Sequence, residues 1–430
     1  MKILQGLKIL DFTTLLPGPY ATLMLGDMGA EIIKISSPDK PDIVADYPPY
    51  TENKNLSANQ AWLGRTKKNL FLNLKTQEGV DIVKKLVKEY DIVIEQFRPG
   101  VMKKLGLGYE ELKEINPRLI YCSLTGYGQT GAMKDRAGHD INYLARSGNM
   151  SYSGRKGIGP VLTNMQIADI GVGSLHSVIG ILSAVYHRTL TGEGQYIDIS
   201  MFDGLLPFHA MEGAAFLLNG IEPVREETRL NGGSAYDFYE TKDGRYISVG
   251  SLEPKFWSGF CDAIGAPHLI ENGVMPENIS KLKREIRDIF LTKDLREWIE
   301  IFKNKDVCVE PVQNLKEVLL EDEHVKDREL VVEVSVMNSE KKIKQIATPI
   351  KFSKTPIEYE DSGYPLGYHT DEILEKLGYS KEDIKKIKRE KCNIGKIIRW
   401  KLNVFYRNNI NRYKFSNGCL CYMSLSRIDD

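Results

Sequence analysis

The sequence predicts an α/β fold, with a large domain built on a parallel sheet and a smaller α+β domain inserted after it. Short apolar segments alternate with helical stretches over the first 205 residues, the pattern of βαβ units. Around Asn231-Gly232-Gly233 the texture changes to a hairpin followed by helices. Later the pattern returns to a strand, a Pro/Gly loop and two short helices. These changes divide the chain into a large domain over 1–205, a linker over 206–230, a small domain over 231–320, a return to the large domain over 321–390 and a basic tail over 391–430.

Residues 7–12 read as a short apolar strand, and Leu15-Leu16-Pro17-Gly18-Pro19 turns the chain into a helix over 20–28. A second strand over 31–35 ends at Ser36-Ser37-Pro38. After a polar loop, 69–74 reads as a strand and 77–90 as an amphipathic helix. Residues 92–95 and 119–124 are continuous apolar runs, as strands covered on both faces require. The mostly apolar stretch 175–188 is expected as a buried helix, and 195–199 as a strand after the Gly192-Glu193-Gly194 turn. In the smaller domain, 236–240 and 246–249 flank a Lys242-Asp243-Gly244 turn, and helices are expected over 254–263, 279–291 and 293–302. A strand over 346–352 and helices over 370–377 and 381–388 complete the reading.

Composition narrows the function. The 430 residues carry 58 basic and 58 acidic side chains, so no global field favours nucleic acid or an anionic membrane. With no apolar run of bilayer length read from the sequence and no signal-peptide pattern at Met1-Lys2-Ile3-Leu4, a cytoplasmic protein is expected. Cys122, Cys261, Cys308, Cys392, Cys419 and Cys421 suggest no disulfide framework, and the Cys419/Cys421 spacing does not fit a zinc site, so no metal is expected. The segment 391–430 holds eight Lys or Arg against Asp429 and Asp430, a net charge of +6, and reads either as a poorly ordered tail or as a basic surface-binding arm.

Two segments offer the groups a carbon acid needs, one base and one acid. Ala137-Gly138-His139-Asp140-Ile141-Asn142-Tyr143 supplies an imidazole, and Ala168-Asp169-Ile170-Gly171-Val172-Gly173-Ser174 a carboxylate thirty residues on. His139 reads as a general base or as a satisfied structural histidine, and Asp140 as a local cap. Asp169 lies near a helix start, where it is either a cap or a group beside free N–H donors for an oxyanion. Glu253 precedes Pro254, where favourable charge at a helix start competes with catalysis. Arg98 follows the 92–95 strand at the end where α/β sheets bind ligands, suiting a phosphate or a solvated charge. Gly126-Tyr127-Gly128-Gln129-Thr130-Gly131 matches the dinucleotide pattern but lacks the helix and acidic residue that should follow, so a glycine loop approaching some other ligand fits better.

These residues sit in a series of motifs that resembles the class III CoA-transferase (CaiB/BaiF) family, which includes the α-methylacyl-CoA racemases. The series comprises LLPGPY (15–20), LGDMGAEIIKI (25–35), LNLK (72–75), FRPGVMKKLGLGYEEL (97–112), LTGYGQTG (124–131), AGHDINY (137–143), ADIGVGS (168–174), TGEGQYIDISMFDG (191–204) and GYHTDEILEKLGYS (367–380), and the likeness runs from residue 4 to about 387. It implies a Rossmann-like large domain and a smaller domain, two chains interlocked like links, and an acyl-CoA thioester bound between domains with no separate cofactor. Asp169 falls on the family's shared aspartate, a nucleophile in transferases and an acid/base group in racemases. AGHDINY resembles the racemase motif, which makes His139 the second acid/base group, and GSLEPKFW (250–257) resembles the segment whose glutamate, Glu253 here, pairs with it. For CoA the likeness carries over Leu72, Asn73, Leu74, Lys75, Arg98, Gly138, Asp140, Ile141, Asn142 and Tyr143. Ser37 stands where racemases often have an arginine, which leaves Lys34 or Lys40 as a substitute phosphate contact. The expected activity is racemisation of 2-methylacyl-CoA thioesters, with acyl-CoA transfer, or a binder that has lost activity, as alternatives.

Overall fold

The computed structural model describes residues 1–389 apart from 39, 41 and 53, so the tail over 391–430 lies outside the described residues. Among the described residues the largest sheet has six strands: β1 (Lys8–Asp11), β2 (Glu31–Ser36), β3 (Lys67–Phe71), β4 (Ile92–Glu95), β5 (Ile120–Thr125) and β6 (Tyr196–Ser200). All pair in parallel in the order β3-β2-β1-β4-β5-β6. The order reverses between β1 and β4, and ligands bind such sheets beyond the carboxyl ends of the strands at this switch point.

Helices cover both faces. They are α1 (Pro17–Asp27), α2 (Ala58–Leu63), α3 (Gln77–Leu86), the single turns α4 (Val101–Lys104) and α5 (Tyr109–Lys113), α6 (Asp140–Arg146), α7 (Leu175–Thr191) and α8 (Ala210–Asn219). Leu10, Ile33 and Val93 pack with α3 and with α13 (Thr370–Lys376) and α14 (Lys381–Arg389) on one face. Ile9, Ile32 and Ile94 pack with α1 and α7 on the other, which is why these strands read as unbroken apolar runs.

A second core is closed by the antiparallel sheet β7 (Asp237–Glu240), β8 (Tyr246–Val249) and β9 (Val309–Pro311), with α9 (Pro254–Ala263), α10 (Ile279–Phe290) and α11 (Leu295–Phe302). Trp257, Phe260, Phe290, Trp298 and Phe302 stack inside it. A short helix α12 (Glu323–Asp327) leads from this unit into the hairpin β10 (Val331–Ser335) and β11 (Lys342–Ile346).

Several elements depart from the sequence reading. α1 begins at Pro17 rather than residue 20, because proline is well suited to the first helical turn, where its missing N–H has no partner to lose. β3 stops at Phe71 rather than 74, because the Asn73 side chain accepts from the Lys75 N–H (3.0 Å) and turns the chain. The strand expected over 346–352 is instead β11, whose lysines alternate with apolar residues in an exposed hairpin. α7 is not wholly buried. Val178, Ile181 and Ala184 face the core, whereas Ile179, Tyr186 and Leu190 are 60–68% exposed. In α8, within the expected linker, every residue is exposed or half-buried, with Leu217 and Leu218 at 86% and 89%. A π-helical segment, Ile167–Ser174, runs straight into α7, so 167–191 form one helix of 25 residues. By length and composition alone that helix could cross a membrane, a property not seen in the sequence because the helix is expected there only over 175–188.

Candidate active site

The His139 turn is built by a tyrosine. Tyr143 on α6 is buried among Leu124, Ala168 and Val172, with its ring edge-to-face to Tyr127 at 5.2 Å. Its hydroxyl donates to the Gly138 carbonyl (2.7 Å). A Cβ on Gly126 or Gly138 would sit 2.5–2.6 Å from this side chain, so both positions have room only for glycine. Within the Gly126–Gly131 loop it is Gly126 that seats Tyr143, an internal partner rather than a ligand. Tyr143, expected at the CoA contact, is committed to holding the turn. Just after that turn His139 occupies the N-cap of α6, its N–H donating to Asn142 Oδ1 (3.0 Å) and its side chain exposed.

Asp169 lies in the first turn of the π-helical segment, a helix form that concentrates at functional sites. Ser174, at the far end of that segment, donates to the Pro17 carbonyl (2.6 Å) and so ties it to the start of α1. Asp140 joins the two halves of the site. Its Oδ1 accepts the Asp169 N–H at 3.0 Å, and the Ala168 N–H also donates to its carboxylate. The cap expected of Asp140 is real, but it caps a helix 29 residues away rather than its own. With Ile170 N–H donating to the Gln166 carbonyl (2.9 Å), the first N–H groups around Asp169 are occupied, which corrects the expectation of free oxyanion donors at this helix start.

The electrostatics follow from this packing. Burial pushes the Asp169 carboxyl up to about 6, the Asp140 charge pushes the same way, and the His139 imidazole opposes both. Burial likewise raises Asp140, while the N–H groups of Asp169 and Ala168 work to lower it. His139, Asp140 and Asp169 thus form one interacting group beyond the carboxyl end of β5.

The expected CoA residues follow β3, β4 and β5 in the chain. Leu72 is buried, its N–H donating to the Ser36 carbonyl (3.0 Å), and Lys75 projects from the turn after β3 into solvent. Arg98 is exposed in the loop after β4, where Glu95 accepts the Phe97 N–H (2.7 Å) and Gln96 Oε1 accepts the Gly18 N–H (3.3 Å). Ile141 and Asn142 are exposed beside His139. Lys34 is not available as a substitute for the missing arginine, being buried with its Nζ 3.2 Å from Asp11. Glu253 is exposed at the N-cap of α9, and among the described residues no hydrogen bond or ion pair joins it to His139.

The protein is thus an α/β one, with a central parallel sheet and an interacting carboxyl–imidazole group. Residues 4–370 match CoA-transferase family III, and the chain belongs to that family. It is 34% identical over 394 residues to the human alpha-methylacyl-CoA racemase, covering 90% of this chain and 97% of that protein. It is 33% identical over 385 residues to the succinate–glutarate CoA-transferase of Agrobacterium fabrum, covering 87% of this chain and 95% of that protein. A crystal structure of a CaiB/BaiF family protein from Brucella suis matches with a TM-score of 0.75 at 29% identity, over 87% of this chain and 99% of that one.

Proposed function

We propose that the protein racemises 2-methylacyl-CoA thioesters by 1,1-proton transfer. The observation that carries this reading is the junction of His139 and Asp169 through Asp140. It sets an imidazole beside a carboxyl raised to about 6, so two groups able to carry a proton meet at one site. One of the pair takes the α-proton of the thioester, the C–H electrons pass into the thioester carbonyl as a planar enolate, and the other returns a proton to the opposite face. Both ends of the cycle leave the pair with its total proton count unchanged, and the chemistry calls for no cofactor beyond the CoA of the substrate. Leu72–Lys75 and Arg98, with Ile141 and Asn142 near His139, are the proposed CoA contacts.

The site is completed by a second copy of the chain, in a two-domain protomer that interlocks with its partner. Among the described residues no bond joins Glu253 to His139, and the apolar outer faces of α7 and α8 are exposed. A partner's Glu253 beside His139 would accept from one ring nitrogen and fix the imidazole tautomer. Similarity to CoA-transferases at nearly the same level supports a second reading, in which Asp169 attacks the thioester, expels CoA thiolate and forms a mixed anhydride.

Incubation with a single enantiomer of a 2-methylacyl-CoA in deuterated water separates the two. The racemase reading expects α-deuterium uptake with loss of optical activity. Retention of the α-proton, with CoA moving to an added free acid, would establish the transferase instead.

A further inference from the structure

The outer edge of the large sheet is closed by an unusual partner. β3 is an edge strand, and such strands leave a row of N–H and carbonyl groups open unless something covers them. Here the entry to α13 lies along it. The Asn69 N–H donates to His369 Nδ1 (3.0 Å), the His369 N–H returns to the Asn69 carbonyl (3.0 Å), and the Phe71 N–H donates to Thr370 Oγ1 (3.0 Å). The approach depends on Gly367, at φ +75°, because a Cβ there would lie 2.1 Å from the Phe71 ring. The imidazole lies edge-to-face against both Tyr364 and Tyr368, with centroids at 4.8 and 4.9 Å, and the two tyrosine rings stack on each other at 5.1 Å. One residue after Phe71 begins the Leu72–Lys75 turn.

We propose that His369 is a positioning residue for the thioester-binding turn, holding the end of β3 in place through an acceptor nitrogen that acid removes. The inference rests on the reading that Leu72–Lys75 contacts CoA. Because Nδ1 accepts, the ring proton sits on Nε2, and an imidazolium would set N–H against N–H at Asn69. The groups facing the ring are Glu372 and the Tyr368 and Tyr364 hydroxyl-bearing rings from the C-terminal segment, and Lys68 from β3, which is paired to Glu372 at 2.8 Å. Burial, helped by Lys68 and opposed by Glu372, holds the imidazole below its ordinary 6.5. The contact is therefore fully present above pH 6.5 and is lost as pH falls through the lower folded value.

The test is titration of free CoA between pH 5 and 8 into the wild type, His369→Asn and His369→Leu, with amide exchange followed at Asn69. Asparagine places a non-titrating oxygen where Nδ1 stands. We expect His369→Asn to bind within about twofold of wild type at pH 7.5 and His369→Leu roughly tenfold more weakly, as for a buried N–H left without its acceptor. Between pH 7.5 and 5.5 the wild type should lose several-fold more affinity than His369→Asn, which controls for protonation of the CoA phosphate. A purely structural histidine would lower the melting temperature without this difference in slope. Equal pH slopes in wild type and His369→Asn, or wild-type affinity in His369→Leu, would overturn the proposal. Failure of the wild type to bind CoA at any pH would instead overturn the functional reading, and Asn69 exchange against pH then decides whether His369 holds the strand.

Discussion

Two polar clusters belong to the same parallel sheet, and their difference separates scaffold from chemistry. In the first, Asp11 is fully buried at the end of β1, where its carboxylate accepts from the Thr13 N–H (2.8 Å) and from the hydroxyls of Thr13 and Thr22 (both 2.6 Å). Lys34 and Lys67 stand 3.2 and 3.6 Å away. Burial alone would raise Asp11, but the two lysines and the hydroxyls reverse it, so its pKa is lowered. Lys67 is pushed down to about 8 by the same burial against the pull of Asp11. In the second cluster Asp169 is half-buried, faces the like charge of Asp140, and is raised to about 6. A carboxylate surrounded by donors and cations is locked in one protonation state. A carboxyl that is desolvated but under-paired can exchange its proton near neutral pH, which is the property catalysis uses.

Asp169→Asn breaks the comparison most strongly. As loss of one of two proton carriers, it should lower the turnover of a 2-methylacyl-CoA by about a thousandfold. It should also stabilise the fold. Because the folded pKa of about 6 lies above the ordinary 3.8, the Asp169 contribution to stability is fully present below 3.8 and is lost as pH rises through 6. The amide removes that loss, so the melting temperature should rise at pH 7.5 and converge with wild type near pH 4. A variant less stable than wild type at pH 7.5 would contradict the assignment of Asp169 to the under-paired class.

Asp11→Ala tests the other cluster and should behave in the opposite way. Removing one partner leaves Lys34 and Lys67 buried without their counter-charge, a change that costs about 3–5 kcal/mol in comparable sites. Urea unfolding measures it, and a stability within about 1 kcal/mol of wild type would show that the cluster is not the scaffold element described.

The two clusters also differ in how far the sequence reveals them. Strands β1, β2, β4 and β5 were legible because burial on both faces leaves short, mostly apolar runs, and α9 because Pro254 marks its first turn. α6 and α8 were not, since one is seven residues long and the other points its apolar residues outward, so neither shows a core-facing stripe. His139 and Asp169 could be singled out from local motifs. The Asp140 bridge could not, because a carboxylate that caps a helix 29 residues away leaves no spacing rule to read. Lys34 was misjudged for the same reason, its partner Asp11 lying 23 residues away across a strand pair. Glu253 was singled out from its motif, but among the described residues it stands exposed at the N-cap of α9 with no bond to His139.

Asp140→Asn sharpens the comparison with the smallest expected effect. The amide oxygen can still accept the Asp169 N–H now held at 3.0 Å, so the helix start keeps that bond and the fold changes little. What disappears is the like charge that raises Asp169. The Asp169 pKa should then drop, moving the acid limb of the pH–rate profile to lower pH. In the direction of turnover where Asp169 is the base, the variant retains activity at a pH where wild type has lost it. Where Asp169 must supply the proton, the variant loses activity at a lower pH than wild type. A move of both limbs to lower pH, which raises activity at the acid end in one direction and lowers it at the alkaline end in the other, follows only if Asp140 acts through the charge on Asp169. A uniform fall in both, with no movement along the pH axis, would leave Asp140 as a cap alone and return Asp169's raised pKa to burial.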